Sequence, residues 1–382
     1  LNLLFTTGLN PYGSRPFGGA ETSIRLLAES MAARGHKVIY LTLRAEERDY
    51  EIAKAAGVKL WAVPALRGNR FRLVRAVGKL RLPAMIALLA LRYRIDVLYC
   101  FYEIDVMEAA LRVRNWLRRP KVVVRMAGFL WHSTSTRDPR LRTRYELAFN
   151  SVDSVNFVTE GLVEMTEKGT AELGMQVRFR DTFVHDIGCS SAPVRTLPYN
   201  SLPQTPFRML MVGRFASYSK RQDLLVKAVA LIPEEIPVSL TLVGEGPDRP
   251  AIQALVEQLN LSHRVEIIPF IDQKILWKRL QEEHLLCHAT NSEGLAKAIL
   301  EAMAKGLPVL ASNVASVNSC IREGETGFLV DNNPESWADR MIGLSRRPED
   351  LARVSEAGQK HVLEQWDPAK CAQQYETYFE RL

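Results

Sequence analysis

The sequence predicts an α/β protein with two doubly wound Rossmann-like domains facing a central cleft. Three observations carry that expectation. The chain has 382 residues, more than one hydrophobic core usually serves. Short apolar runs alternate with amphipathic stretches along its whole length, the pattern of successive βαβ units. The alternation also pauses near residue 193 and restarts near residue 206 with a new first strand.

In the first half, LNLLFTT, KVIYLTL, VKLWAV, DVLYCF, KVVVRMAG and SVNFVTE read as strands. The opening LNLLFTTGL lacks a basic n-region and a cleavage site, which favours a first strand over a signal peptide. The clearest helix spans Ala20 to Arg34, where Ile24, Leu27, Ala28 and Met31 make an apolar stripe. PVRTLPYNSLPQTP, from Pro193 to Pro206, is polar and punctuated by proline, so the domain boundary is expected there. Beyond it FRMLMVGR, VSLTLVG, VEIIPF, HLLCHAT and PVLAS are strands, with helices at Gln222 to Leu231, Pro250 to Leu259 and Ala296 to Ala304. A last helix, Pro368 to Leu382, aligns Cys371, Tyr375, Tyr378 and Phe379 on one side.

No apolar run reaches the roughly 18 residues a bilayer crossing needs. The longest candidate, Leu82 to Leu91, lies between Arg81 and Arg92 and reads as a buried or surface-lying helix. The five cysteines are scattered without a C-x-x-C pair, which argues against a disulfide framework or a zinc site and for a cytoplasmic setting. Charge is uneven: residues 1–200 hold 30 Lys and Arg against 19 Asp and Glu, and residues 201–382 hold 20 against 24. Between Arg67 and Arg144 the balance is 18 to 5. Such a segment either meets something anionic or is a solvated basic face. Arg67 to Arg94 joins its arginines to helically spaced Phe71, Val74, Val77, Leu80 and Leu82, the profile of a helix on an anionic membrane surface. The aromatic residues are not arrayed as a base-stacking platform, so no nucleic-acid partner is expected.

The segment richest in chemistry is SEGLAKAILEAMAKGLPVL, Ser292 to Leu310. It sets Glu293 and Glu301 eight residues apart in a strand–loop–helix context. HLLCHAT ends near Thr290, Gly294 permits an unusual backbone angle, and a helix is expected from about Leu295. The amides of Leu295, Ala296 and Lys297 would then form an anion site suited to a diphosphate. Glu293 would face sugar hydroxyls, and Glu301, about 12 Å along the axis, a ribose. Taken alone, the two glutamates are more readily a helix cap and a surface partner of Lys305, four residues beyond Glu301.

The run EGLAKAILEAMAKGLPVLAS nevertheless resembles the E-x7-E signature and the EAMA-x-G-x-PV-x-A-S continuation of retaining glycosyltransferases of family 4. VGRFASYSKRQDLLVKAVALI (Val212 to Ile232) and FGGAETSIRLLAESMAARGHKV (Phe17 to Val38) are similar to further family elements in the same order, as are LVGEGP and EGETGFLV. The likeness covers the first 45 residues and about 205–335. It implies a GT-B fold: an acceptor-binding domain over 1–198, a nucleotide-sugar-binding domain over 205–366, and a C-terminal helix, 367–382, returning to the first domain. It implies that Arg214 and Lys220 neutralise the donor diphosphate, work that a guanidinium fork and an ammonium can do in place of a metal. Gly18, Gly19, Gly213 and Gly294 would let backbone approach the donor. Phe270 and Ile271, after VEIIPF, are the expected base contacts.

Two departures from the family stand out. Ala127-Gly128 replaces a common His-Gly pair, and Leu295-Ala296 replaces an aromatic-glycine pair beside the sugar. His132 either substitutes for the histidine or is a packed loop residue. Arg125, Gly128, Trp131 and His132 sit where an acceptor should pass, Trp131 being as readily core as a stacking face. No Asp-x-Asp motif offers a metal a bridge to the diphosphate, so neither metal nor other cofactor is expected. The resulting expectation is a retaining, metal-independent hexosyltransferase of polysaccharide synthesis. It would use a nucleotide sugar, UDP-linked, and a glycan or lipid-linked acceptor, at the inner face of the membrane. The alternatives are a GDP-linked, mannosyl-type donor, a nucleotide-sugar epimerase, and a non-catalytic binding protein.

Overall fold

The structure, a computed structural model, describes residues 1–382 apart from 9, 14–18, 64–71, 129–137, 189–205 and 218, with backbone alone over 72–79. The described residues form two compact units, Leu1–Ile187 together with Pro368–Leu382, and Gly188–Asp367. The proline-rich stretch expected to hold the boundary lies outside the described residues up to 205.

The first unit is built on β1 (Asn2–Thr6), β2 (Lys37–Thr42), β3 (Lys59–Ala62), β4 (Val97–Phe101), β5 (Lys121–Met126), β6 (Ser154–Phe157) and β7 (Thr182–Val184). Their order is β3-β2-β1-β4-β5-β6-β7, all parallel. Parallel sheets are covered on both faces, which is why β4 reads VLYCF without alternation and buries all five residues. The connections hold α1 (Gly19–Ala33), α2 (Glu47–Ala55), α3 (Arg72–Tyr93), α4 (Ile104–Leu117), α5 (Pro139–Ser151) and α6 (Glu160–Glu172). Helix α1 buries the stripe Ile24, Leu27, Ala28 and Met31. The edge strand β7 is absent from the sequence reading, because three partly exposed residues make no apolar run.

The second unit repeats the plan with β8 (Phe207–Val212), β9 (Val238–Val243), β10 (Val265–Ile268), β11 (Leu285–His288), β12 (Val309–Ser312) and β13 (Phe328–Val330). The order is β10-β9-β8-β11-β12-β13, again all parallel. Its helices are α7 (Gln222–Leu231), α8 (Arg249–Gln258), α9 (Gln273–Glu282), α10 (Lys297–Ala304), α11 (Ala315–Asn318), α12 (Pro334–Ser345) and α13 (Pro348–Gln365). The final α14 (Pro368–Glu380) leaves this unit and buries Cys371, Ala372, Tyr375, Tyr378 and Phe379 in the core of the first.

Each sheet reverses its strand order once, between β1 and β4 and between β8 and β11. Doubly wound sheets bind ligands beyond the carboxyl ends of their strands at such switch points.

The helix expected on a membrane surface exists from Arg72 and contains Pro83. Arg67 to Phe71, and the side chains of Val74 and Val77, lie outside the described residues. Ile86 and Leu89 are buried, whereas Leu80, Leu88 and Leu91 are 61, 53 and 57% exposed. No described helix is long and apolar enough to cross a membrane. Cys100, Cys287, Cys320 and Cys371 are buried, and Cys189 lies outside the described residues.

Candidate active site

At the second switch point, β8 ends at Val212 and its neighbour β11 ends at His288. The chain after β8 is clamped by the turn after β9. Gly213 N–H donates to Val243 O at 3.0 Å, Phe215 N–H to Glu245 O at 3.0 Å, and Ser217 N–H to the Asp248 carboxylate at 2.6 Å. That clamp needs bare backbone. A Cβ on Gly244 (φ +149°) would lie 2.1 Å from Gly213 O, and one on Gly246 (φ +159°) 2.2 Å from Phe215 O. Gly246→Ala is therefore expected to destabilise the second unit by more than about 1 kcal/mol. A melting temperature equal to wild type would contradict the clamp.

Lys220 then forms an antiparallel bridge with Thr290, beyond β11, where Arg221 N–H donates to Ala289 O (3.0 Å) and Asn291 N–H to Ser219 O (2.7 Å). The loop after β11 is tied from its other side by Ser312 Oγ, which accepts from Thr290 N–H (2.8 Å), and Ser316 Oγ, which accepts from Glu293 N–H (3.2 Å). Asn332 Nδ2 donates to Thr290 O at 2.8 Å.

These ties bring three ionisable groups around one oxygen. Lys220 Nζ forms an ion pair with Glu293 Oε1, and His288 Nε2 lies 2.9 Å from that oxygen and 3.4 Å from Nζ. The Lys220 and Glu293 side chains are each 14% exposed, and His288 is buried. Burial lowers the Lys220 ammonium to about 7, against the pull of the Glu293 carboxylate towards the charged form. Burial, reinforced by the Lys220 charge, holds His288 well below the usual histidine range, so the imidazole is neutral. Arg214 is exposed on the same loop, its carbonyl accepting from Gln222 Nε2 at 3.1 Å. His288 is missing from the sequence reading. Its signal was a polar residue closing the apolar run LLCH, five residues before Glu293.

Helix α10 starts at Lys297, not at Leu295, because Ala296 (φ −75°, ψ 84°) stands outside the helical region as its N-cap. Leu295 and Ala296 belong to the approach loop, and Glu301 sits only about 6 Å along the axis. Gly294 is buried and does not take the left-handed backbone anticipated for it, the loop being shaped by its side-chain ties instead. The Lys297 ammonium donates to Gly188 O. Glu301 Oε1 accepts from Gln273 Nε2 at 3.1 Å, and burial raises its carboxyl above the usual range. Lys305 is buried rather than at the surface, its ammonium 4.3 Å from the Trp277 ring centroid, and its charge favours the ionised Glu301 carboxylate. Phe270, 48% exposed, and Ile271, partly buried, lie on the short loop between β10 and Gln273, the residue whose side chain meets Glu301. Among the described residues no three of His, Cys, Asp and Glu cluster as a metal site.

Residues 198–361, which hold this whole constellation, match the family described as Glycosyl transferases group 1, and residues 18–172 match the Glycosyl transferase 4-like domain. The chain is a glycosyltransferase. Its relatives include N-acetyl-alpha-D-glucosaminyl L-malate synthase of Bacillus anthracis, 26% identical over 305 residues, 78% of each chain. D-inositol 3-phosphate glycosyltransferase of Streptomyces scabiei is 30% identical over 183 residues, 45% of this chain and 41% of that protein. Among solved structures, Anabaena HepE in complex with UDP-glucose superposes with a TM-score of 0.79 at 18% identity, over 100% of both chains. Sucrose-phosphate synthase from Thermosynechococcus elongatus gives 0.80 at 20%, over 100% of this chain and 99% of the other. The glycosyltransferase thus has the GT-B fold.

In the first unit of the glycosyltransferase, one expected acceptor-side residue needs correction. Arg125 is 0% exposed and cannot meet an acceptor; its Nη2 donates to Asp186 Oδ1 at 2.5 Å, and its Nη1 contacts the Tyr99 and Tyr375 hydroxyls at 3.2 and 3.1 Å. The guanidinium faces inward because those partners, one of them from α14, are all in the core. Gly128, partly exposed beyond β5, leaves room for the Tyr102 hydroxyl, which a Cβ would approach to 3.4 Å. Gly19 opens α1, while Gly18, Trp131 and His132 lie outside the described residues. At this unit's switch point Gly8 N–H donates to Glu103 Oε2 at 2.7 Å, and burial raises that carboxyl. Sequence reasoning offers no motif for Glu103.

Proposed function

We propose that the chain transfers a hexose-type residue, with retention, from a UDP-linked sugar to a sugar hydroxyl of a glycan or lipid-linked acceptor. The observation that carries this is the meeting of Lys220 and Glu293 at the β8/β11 switch point, beside exposed Arg214 and the start of α10. A nucleoside diphosphate laid there meets an ammonium, a guanidinium and a positive helix end. As the bond from the sugar to the diphosphate breaks, negative charge grows on the departing oxygen, and those groups stabilise it. The transfer proceeds by front-face attack, the departing oxygen taking the acceptor proton. The uridine base is supported by the HepE structure, which is a complex with UDP-glucose. In this reading Glu301 meets the ribose and the Phe270 loop meets the base.

Product analysis tests this function. Donor and acceptor incubated with the chain should yield nucleoside diphosphate and a glycoside with the donor's anomeric configuration. An inverted product, or an epimerised donor without an acceptor, would overturn it, and a preference for GDP-linked donors would move the base assignment. EDTA should leave the rate unchanged; loss of activity restored by manganese would contradict metal independence. Peripheral membrane binding is the matching proposal for the basic segment, with exposed Leu80, Leu88 and Leu91 facing anionic lipid. Vesicles containing phosphatidylserine should then retain the chain at low salt.

A further inference from the structure

We propose that His288 is a positioning residue, which holds the Glu293 carboxylate in place while Lys220 leaves it for the donor diphosphate. His288 can have this role only if the diphosphate binds at Lys220, as proposed above. Glu293 Oε1 is shared between Lys220 and His288, at 2.9 Å from Nε2. Among the described residues, buried Nδ1 of His288 has no hydrogen-bond partner. A neutral imidazole carries one N–H, and only at Nε2 does that proton find an acceptor, so Nε2–H donates to Glu293. Lys220 therefore holds the carboxylate by charge and His288 holds it by direction.

A diphosphate carries more negative charge than one carboxylate and draws the ammonium away. Without a second tie, Glu293 would then be free to swing on its loop. His288 supplies that tie from the end of β11, a strand paired on both sides by β8 and β12. Glu293 Oε2 then remains available to a hydroxyl of the transferred sugar. Sugar recognition thus depends on His288, while nucleotide recognition does not.

The test compares Kd for UDP with Kd for the UDP-sugar donor in wild type, His288→Leu, His288→Met and His288→Gln. A glutamine amide can donate to the same oxygen, and the two apolar variants guard against one misfolded protein. Both apolar variants should bind UDP within about twofold of wild type and lose about tenfold of the extra affinity for the UDP-sugar, as for a lost hydrogen bond to a charged group. Glutamine should restore most of it. An unchanged ratio in folded apolar variants, or glutamine no better than leucine, would overturn the role of His288. A merely structural role would weaken both ligands together. Lys220→Ala separates the two levels. Lost UDP binding in Lys220→Ala alongside an unchanged ratio in His288→Met defeats His288 alone, whereas unchanged UDP binding in Lys220→Ala defeats the donor site itself.

Discussion

Lys220→Ala is expected to lower kcat/KM for the sugar donor by about 10²–10³-fold, the usual cost of removing one group that stabilises developing negative charge. The ammonium is held by backbone pairing on both of its flanks, since Arg221 N–H and Ser219 O are both tied to the loop after β11. Arg214 is exposed and less fixed, so Arg214→Ala should cost less. The pH dependence has a definite sign. Burial puts Lys220 at about 7 in the ligand-free chain, and a bound diphosphate favours the charged form, so binding takes up a proton. Donor affinity should therefore fall as pH rises above about 7, approaching tenfold per pH unit. Lys220→Arg keeps its charge and should flatten the profile. Calorimetric titration of a nucleotide sugar at several pH values checks this, and a flat wild-type profile would show that Glu293 outweighs burial.

Asp186→Ala should destabilise the first unit by about 3–5 kcal/mol, because it leaves the Arg125 guanidinium, 0% exposed, without its counter-ion. Asp186 also accepts from Ser23 Oγ at 3.2 Å and Ile187 N–H at 2.7 Å, so α1 and the end of the first segment lose a tie together. The same network reaches α14, where the Tyr375 hydroxyl contacts Arg125 Nη1 at 3.1 Å, Asn156 Oδ1 at 2.9 Å and His185 O at 2.8 Å. Replacing both charges, Arg125→Met with Asp186→Leu, should recover much of the loss, since apolar packing often serves as well as a buried pair. Denaturant unfolding followed by fluorescence measures both. A single variant within about 1 kcal/mol of wild type would mean that the interior tolerates the bare guanidinium.

The parallel sheets were legible because fully buried strands are continuous apolar runs, and α7 and α14 because their apolar spacing is regular. Edge strands β7 and β13 have three residues each, too few for such a run to stand out. Lys220 and Glu293 could be chosen from local pattern, but their contact with His288 could not, since 68 residues separate Lys220 from His288 in sequence. Arg125 was misjudged for the same reason. In KVVVRMAG it looks like a charge at a strand end, and only Asp186, 61 residues on, and Tyr375, 250 residues on, turn it inward. The start of α10 was placed two residues early because bonds from Ser312, Ser316 and Asn332, all later in the chain, shape the loop before it.

The most direct measurement of the donor site is a thermal-shift titration with UDP-sugars on wild type and Lys220→Ala. A ligand that binds only the folded state stabilises it by about 2.7 kcal/mol at 100 times its Kd. A melting temperature that climbs with UDP-sugar in wild type and stays level in Lys220→Ala is the predicted result. An equal climb in both would contradict a donor diphosphate bound at Lys220.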